Sequence, residues 1–172
     1  MPVYHFVFHA YGSWNADHPR GYVRRGEPGI FAPNTALGRY RRVLAHHRPY
    51  EFTELLQADL LLAGKEICGL NNWRLHAIGT DASHLHAVVS WSTAWEVATV
   101  VAILKRKMSL RLGDRDGQTG RPRFLRGYSA TRVRSADHLR QLLDSYLVSH
   151  HALFWREGMA SPLRMPQPRH RT

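Results

Sequence analysis

The chain has 172 residues, 44% of them hydrophobic and 10% aromatic, which suffices for one packed domain and excludes wholesale disorder. Its 24 Lys and Arg against 13 Asp and Glu give a formal charge of +11. That balance suits nucleic acid rather than an anionic membrane, because no basic amphipathic segment or lipidation signal accompanies it. The single Cys68 excludes an intramolecular disulfide, no apolar run reaches the length of a membrane span, and Met1 to His5 lack a secretion-signal pattern; a cytoplasmic location is expected.

Residues 3–11 are aromatic and β-branched and predict a first strand, on which His5, Val7 and His9 share a face. These two histidines either approach a site or, more plainly, line a half-exposed sheet. Residues 12–33 hold four Gly and three Pro and predict a long loop carrying Arg20, Arg24 and Arg25. Asn34 caps a predicted helix through Leu37, Tyr40, Val43 and Leu44, ended by Pro49. Phe52, Leu55, Leu56, Leu60, Ala63 and Ile67 recur at helical spacing and predict a second helix over 51–70.

A strand over 72–79 and a tight turn lead into a strand from His84, so the two should pair as an antiparallel hairpin. Thr93 caps a predicted helix from Ala94 to about Leu112 with a basic end at Lys105, Arg106, Lys107 and Arg111. A polar loop over 113–123 precedes a strand over 128–133. Ser135 then opens a long helix whose apolar stripe runs from Leu139 through Leu142, Leu143, Tyr146, Leu147 and His150 to Leu153 and Phe154. Pro162, Pro166 and Pro168 break the end of the chain. One domain is therefore expected over 1–158, with a basic disordered tail over 159–172.

Two features carry chemistry. His84 and His86 alternate with Leu85 and Ala87, so both imidazoles face one side of a strand. They can hold a divalent metal, or they can simply line an exposed face. Tyr146 and His150 lie one helical turn apart and face the same way. Tyr146 can be a core aromatic, or a nucleophile where a neighbouring group stabilises the phenolate; His151 should point about 140° away from His150 around the helix and be dispensable.

These residues resemble a known family. His84-Leu85-His86 is similar to the His-hydrophobic-His motif of the HUH endonucleases, and Tyr146-Leu147-Val148-Ser149-His150 to the nucleophile helix of their single-tyrosine transposases, including the REP-associated tyrosine transposases. Phe124-Leu125-Arg126-Gly127-Tyr128 resembles the family's aromatic and Gly-Tyr segment before that helix, with Phe for the usual Trp. Leu104 to Ser109 resembles its Lys…Ser helix. The departures are Asp81-Ala82-Ser83 where Met-Pro-Asn is common, and His150 where Gln is frequent.

The resemblance implies an α+β fold, a central antiparallel sheet with helices packed on it, similar to ferredoxin-like and RNA-recognition folds. It implies a prokaryotic endonuclease and strand transferase acting on single-stranded or hairpin DNA, as monomer or homodimer. Tyr146 would form a 5′-phosphotyrosine, with one Mg²⁺ or Mn²⁺ on His84, His86 and His150. The expected DNA contacts are Arg24, Arg25, Lys105, Lys107, Arg111, Arg123 and Arg126, for which a solvated surface is the plain alternative. The rival reading is a non-catalytic, domesticated hairpin-binding protein of the same fold. A His-x-His-x-His hydrolase lacks its third histidine, since Val88 stands there, and a paired His-x-Thr phosphoesterase fails because His86 occupies the Thr position.

Overall fold

The structure is a computed structural model and describes residues 1–24, 27–92 and 94–164. In chain order its elements are β1 (Val3–His9), β2 (Tyr22–Arg24), β3 (Glu27–Phe31), α1 (Thr35–Leu44), α2 (Glu54–Leu70), β4 (Arg74–Thr80), β5 (His84–Ser90), α3 (Val97–Asp116), β6 (Ser129–Arg132), α4 (Ala136–Gln141), a π-helical turn (Leu142–Tyr146), α5 (Leu147–His150), β7 (Leu153–Arg156) and β8 (Leu163–Arg164). α4, the π turn and α5 follow one another without a break. Six strands make one antiparallel sheet in the order β6-β1-β5-β4-β7-β8, and β2 with β3 forms a separate hairpin.

Strand alternation sorts the sheet's two faces. Phe6 and Phe8 of β1, Leu85, Ala87 and Val89 of β5 and Ile78 of β4 turn to one side and pack with Phe52, Leu56, Leu60 and Ile67 from α2 and its approach, and with Val100, Leu104, Met108 and Leu112 of α3. Ala77, Val88 and Phe154 turn to the other side, where fully buried Leu147 anchors the Ala136–His150 helix over the sheet. The histidines of β1 and β5 lie on this second face, between sheet and helix. The result is the α+β architecture, with helices on both faces of an antiparallel sheet.

Local signals behave as their chemistry dictates. Asn34 accepts from Leu37 N–H, Thr53 from Leu56 N–H and Ser135 from His138 N–H, so each caps the helix that follows. The β4–β5 hairpin forms with Thr80 opposite Leu85. No helix among the described residues is long and apolar enough to cross a membrane.

Several expectations are corrected. The loop over 12–33 contains the β2–β3 hairpin, where Tyr22 pairs with Phe31 and the Arg24 guanidinium lies 4.4 Å over the Phe31 ring. α1 ends at Leu44, before Pro49 acts. α3 begins at Val97 with Glu96 at its N-cap and runs on through Gly113 to Asp116, where Gly117 takes the left-handed conformation (φ 65°) that closes a helix. The last helix stops at His150, and Leu153 and Phe154 belong to β7, which pairs with β4. An inner strand covered on both faces is apolar at successive positions, and Leu153-Phe154-Trp155 imitates the continuation of a helical stripe. Beyond residue 158, the exposed two-residue β8 pairs with β7. Thr93, Arg25 and the tail from 165 onward lie outside the described residues.

Candidate active site

The antiparallel register of β1 and β5 sets His9 opposite His84 and Val7 opposite His86, with His5 opposite Val88. All of these side chains share the face beneath the Ala136–His150 helix. His5 Nε2 and His86 Nδ1 are hydrogen-bonded at 2.8 Å, and the His84 and His86 rings lie 4.9 Å apart, centroid to centroid. His5 and His9 are thus members of the site. Sequence alternation put them on one face, but only the pairing of β1 with β5 brings them to His86 and His84.

The turn before β5 prepares His84. Asp81 Oδ1 accepts from the Ser83 and His84 backbone N–H groups at 2.6 and 2.9 Å and from the Ser83 hydroxyl at 3.0 Å. It lies 2.9 Å from His84 Nδ1, which is also 2.9 Å from the Ser83 hydroxyl, so an imidazole protonated at Nδ1 donates to this pair. Burial pushes the Asp81 carboxyl up, but the His84 hydrogen bond and the two backbone N–H groups outweigh it and hold it well below the usual carboxylate range. The Asp81-Ala82-Ser83 segment therefore orients the His84 ring.

The helix brings Tyr146 and His150 over the sheet face. Their rings stack at 4.9 Å with an interplanar angle of 18°. The Tyr146 ring also meets His86 at 5.7 Å and stands edge-on to His5 at 5.9 Å, while the residue stays 39% exposed. Tyr146 closes the π turn, in which Leu147 N–H reaches back to the Leu142 carbonyl. Such turns insert an extra residue into a helix and re-aim the side chains that follow. Tyr128 lies just before the edge strand β6 and takes no part in this group of rings.

His151, expected on the far side of the helix, faces inward. The chain leaves the helix at this residue (φ −127°, ψ 145°), which turns the ring onto His86 at 4.5 Å and His84 at 5.4 Å. It is 2% exposed, and neither ring nitrogen has a partner among the described residues. The signal in the sequence was the strand-forming run just beyond, which ends the helix before His151.

Burial and neighbouring charge favour the neutral form of His5, His9, His86, His150 and His151. Burial, then the charge of His138, lowers His5 to about 4; burial, then His84, lowers His9 to about 4 and His151 to about 3. Burial and the surrounding imidazoles push His86 furthest down, and burial with His84 lowers His150. Neutral imidazole is the form that binds a metal. As the side chains stand, no three His, Cys, Asp or Glu groups among the described residues are set around one metal position. The donor chemistry nonetheless fits a divalent ion: imidazoles, a carboxylate behind His84, and buried nitrogens on His151 without partners among the described residues.

The expected DNA-contacting cations divide. Lys107 and Arg126 are exposed. Lys105 is half-buried and donates to the carbonyls of Leu125, Arg126 and Gly127, tying that segment to α3. Arg111 lies 3.9 Å from both Asp59 and Glu66, and Arg24 donates to the Tyr22 hydroxyl at 3.0 Å and faces Glu27. Arg123 is buried against Asp116 at 2.8 Å, a place inside the fold. A cleft of about 490 Å³ lined by Tyr11, Trp14, Arg41, His47 and Arg48 had no counterpart in the sequence reading. Trp14 joins it to the site, since its ring meets His9 at 5.0 Å.

No family model matches the chain, and no curated protein matches it. Solved structures do. A protein of Deinococcus radiodurans R1 described as a candidate transposase aligns over 88% of this chain and 92% of its own, with 12% identity and a TM-score of 0.52. The REP-associated tyrosine transposase bound to a REP hairpin aligns over 86% of this chain and 64% of its own, with 9% identity and a TM-score of 0.51. At such identities the likeness is one of fold, and the chain has the transposase-like α+β fold that its motifs resemble.

Proposed function

We propose that this protein is a metal-dependent nicking and joining enzyme of transposase type, acting on single-stranded DNA that contains hairpins, with Tyr146 as nucleophile. The observation that carries the reading is the partly exposed Tyr146 ring packed over the His5–His86 pair. The +11 charge and the basic cleft beside His9 support an extended anionic substrate. One protein of the same fold holds a REP hairpin, which supports hairpin DNA as the ligand.

The Tyr146 oxygen attacks the scissile phosphorus and gives up its proton to water or a neutral imidazole at the rim. The bond from phosphorus to the 3′ oxygen breaks, that oxygen leaves as a 3′-hydroxyl after taking a proton, and the 5′ phosphate stays on Tyr146. The covalent link conserves the phosphodiester for rejoining. His84 and His86, with an imidazole from the helix end at His150 or beside it, would hold one Mg²⁺ or Mn²⁺. Such an ion supplies Lewis-acid polarisation of the phosphate. Asp81 and His5 orient the two strand histidines, and the π turn directs Tyr146 toward them.

The test is incubation with end-labelled hairpin single strands and Mn²⁺, followed by a denaturing gel. A covalent adduct dependent on Tyr146 and on metal is expected. Hairpin binding with no adduct under any metal would replace this reading with the non-catalytic one, which the absence of a preset three-ligand group among the described residues favours.

A further inference from the structure

We propose that the cleft beside His9 is a nucleotide subsite, which takes one unstacked base of the DNA strand among aromatic side chains and its phosphate on Arg48. The course of the strand rests on the DNA-cleaving reading above. The cleft opens between the end of β1, the turn after it, the last turn of α1 and the connector that follows. Its volume of about 490 Å³ suits a nucleotide-sized ligand. Tyr11, Trp14 and His47 line it together with Arg41 and Arg48. A strand held through its phosphates alone needs cations and no rings. Rings beside guanidiniums are the combination that takes bases by stacking and phosphates by charge.

The walls are tied together by bonds that leave these side chains for a ligand. The Asn15 amide donates to the Gly38 carbonyl at 3.1 Å and accepts from Ala16 N–H at 2.8 Å, and Arg42 pairs with Asp17 at 2.7 Å. Tyr50 N–H donates to the Tyr11 carbonyl at 2.7 Å, which fixes the connector to the end of β1. Gly12, at φ 76°, lets that end pass against Pro49, since a Cβ there would stand 2.9 Å from Pro49 Cα. His18 stacks on Trp14 at 4.0 Å and 16°, holding the indole plane. Arg41 rests over the Tyr22 ring at 5.6 Å. Arg48 has its carbonyl bound by Arg121 at 3.2 Å, and its guanidinium forms no ion pair among the described residues. Trp14 is two ring contacts from His84, 5.0 Å to His9 and then 5.7 Å from His9 to His84. A base in the cleft therefore belongs to a nucleotide close to the phosphate that Tyr146 would attack, and the cleft would help to choose where the strand is cut.

Two measurements on the full chain test this. In the first, isotope-labelled protein is titrated with each deoxynucleoside monophosphate and, separately, with deoxyribose phosphate. The indole resonance of Trp14 should shift with nucleotide, that of the exposed Trp95 should not, and the sugar phosphate should leave both in place. In the second, hairpin single strands carry one abasic position at a time along their unpaired flanks. One position should lower affinity about tenfold, the order expected when a stacked base is lost. Trp14→Ala should bring intact and abasic strands within twofold of each other, whereas Arg39→Ala, which removes a charge from α1 outside the cleft, should keep the difference. Because the titration uses the unaltered protein, it decides the matter even if Trp14→Ala does not fold. A flat abasic scan in the wild type, a penalty that persists in Trp14→Ala, or a Trp14 shift that the sugar phosphate reproduces would overturn the assignment. One sensitive position without a covalent adduct would keep the subsite and sink the cleaving reading; an adduct with a flat scan would do the reverse.

Discussion

His5 and His86 are joined ring to ring across adjacent strands, Nε2 to Nδ1 at 2.8 Å, although 81 residues separate them. If His86 binds metal through Nε2, its Nδ1 carries the proton and His5 Nε2 accepts it. His5 then acts as the orienting partner that a carboxylate supplies for His84. Removing such a partner lowers metal affinity about 10- to 100-fold. His5→Ala should show that loss in a Mn²⁺ titration, and His5→Gln, whose amide oxygen can accept, should recover part of it. Equal affinity in both variants and wild type would show that the contact is packing alone.

Tyr146→Phe removes one hydroxyl and keeps the ring that packs on His150. The melting temperature should stay within about 2 °C of wild type. Hairpin affinity should be unchanged and the covalent adduct should vanish. Peptide mapping of the wild-type adduct decides between Tyr146 and Tyr128: phosphotyrosine at Tyr128 would contradict the ring geometry described here.

The +11 chain should bind hairpin single strands with strong salt dependence, because each neutralised phosphate releases counterions. Affinity is expected to fall at least tenfold between about 50 and 200 mM salt. Charge reversal at Arg41 or Arg48 should flatten that slope if the cleft beside Trp14 carries the strand. A flat profile in the wild type would argue against DNA.

Arg123 behaves differently from the other arginines of the expected DNA-contacting set. It is 7% exposed, paired with Asp116 and donating to the Arg121 and Gln118 carbonyls. Removing one partner of a buried ion pair costs about 3–5 kcal/mol. Arg123→Ala should therefore lower the melting temperature by on the order of 10 °C, with hairpin affinity at low temperature within twofold of wild type. Arg126→Ala should show the opposite pattern.

The histidine cluster makes the metal-free protein acid-sensitive. His5 and His9 titrate at about 4 and His151 at about 3 when folded, against an ordinary value of 6.5. Below pH 6.5 the unfolded chain takes up protons that the folded chain refuses. Stability is full above that pH and falls as pH drops toward 4, by about 1.4 kcal/mol per pH unit for each histidine that stays neutral. Thermal melts from pH 7.5 down to 4.5 in chelator should show a steady decline, and excess Mn²⁺ should oppose it at the upper end. Melting temperatures independent of pH over this range would mean that the rings are solvated.

Much of this site was written locally. Alternation puts His84 and His86 on one face, helical spacing aligns Tyr146 with His150, and Asn34, Thr53 and Ser135 lie where caps belong. What local patterns could not show is anything set by pairing over long separations. His5 and His9 reach the site through a strand register some 80 residues away, and Arg123 is hidden by Asp116 at the end of a helix longer than its glycine suggested. The inward turn of His151 depends on a helix ending where apolar periodicity is unbroken, since an inner strand and a helical stripe both supply consecutive apolar residues there.

The helix that bears Tyr146 is held at both ends by the sheet it covers. Three residues join it to β6 and two join it to β7, which is itself locked between β4 and β8. At about 3.6 Å per extended residue, those joints reach roughly 11 and 7 Å. Lending the helix to another copy would mean tearing an inner strand out of its ladder. If Tyr146 is the nucleophile and is served by the histidines of its own chain, adduct formation is expected to rise with the first power of protein concentration, with no lag at high dilution.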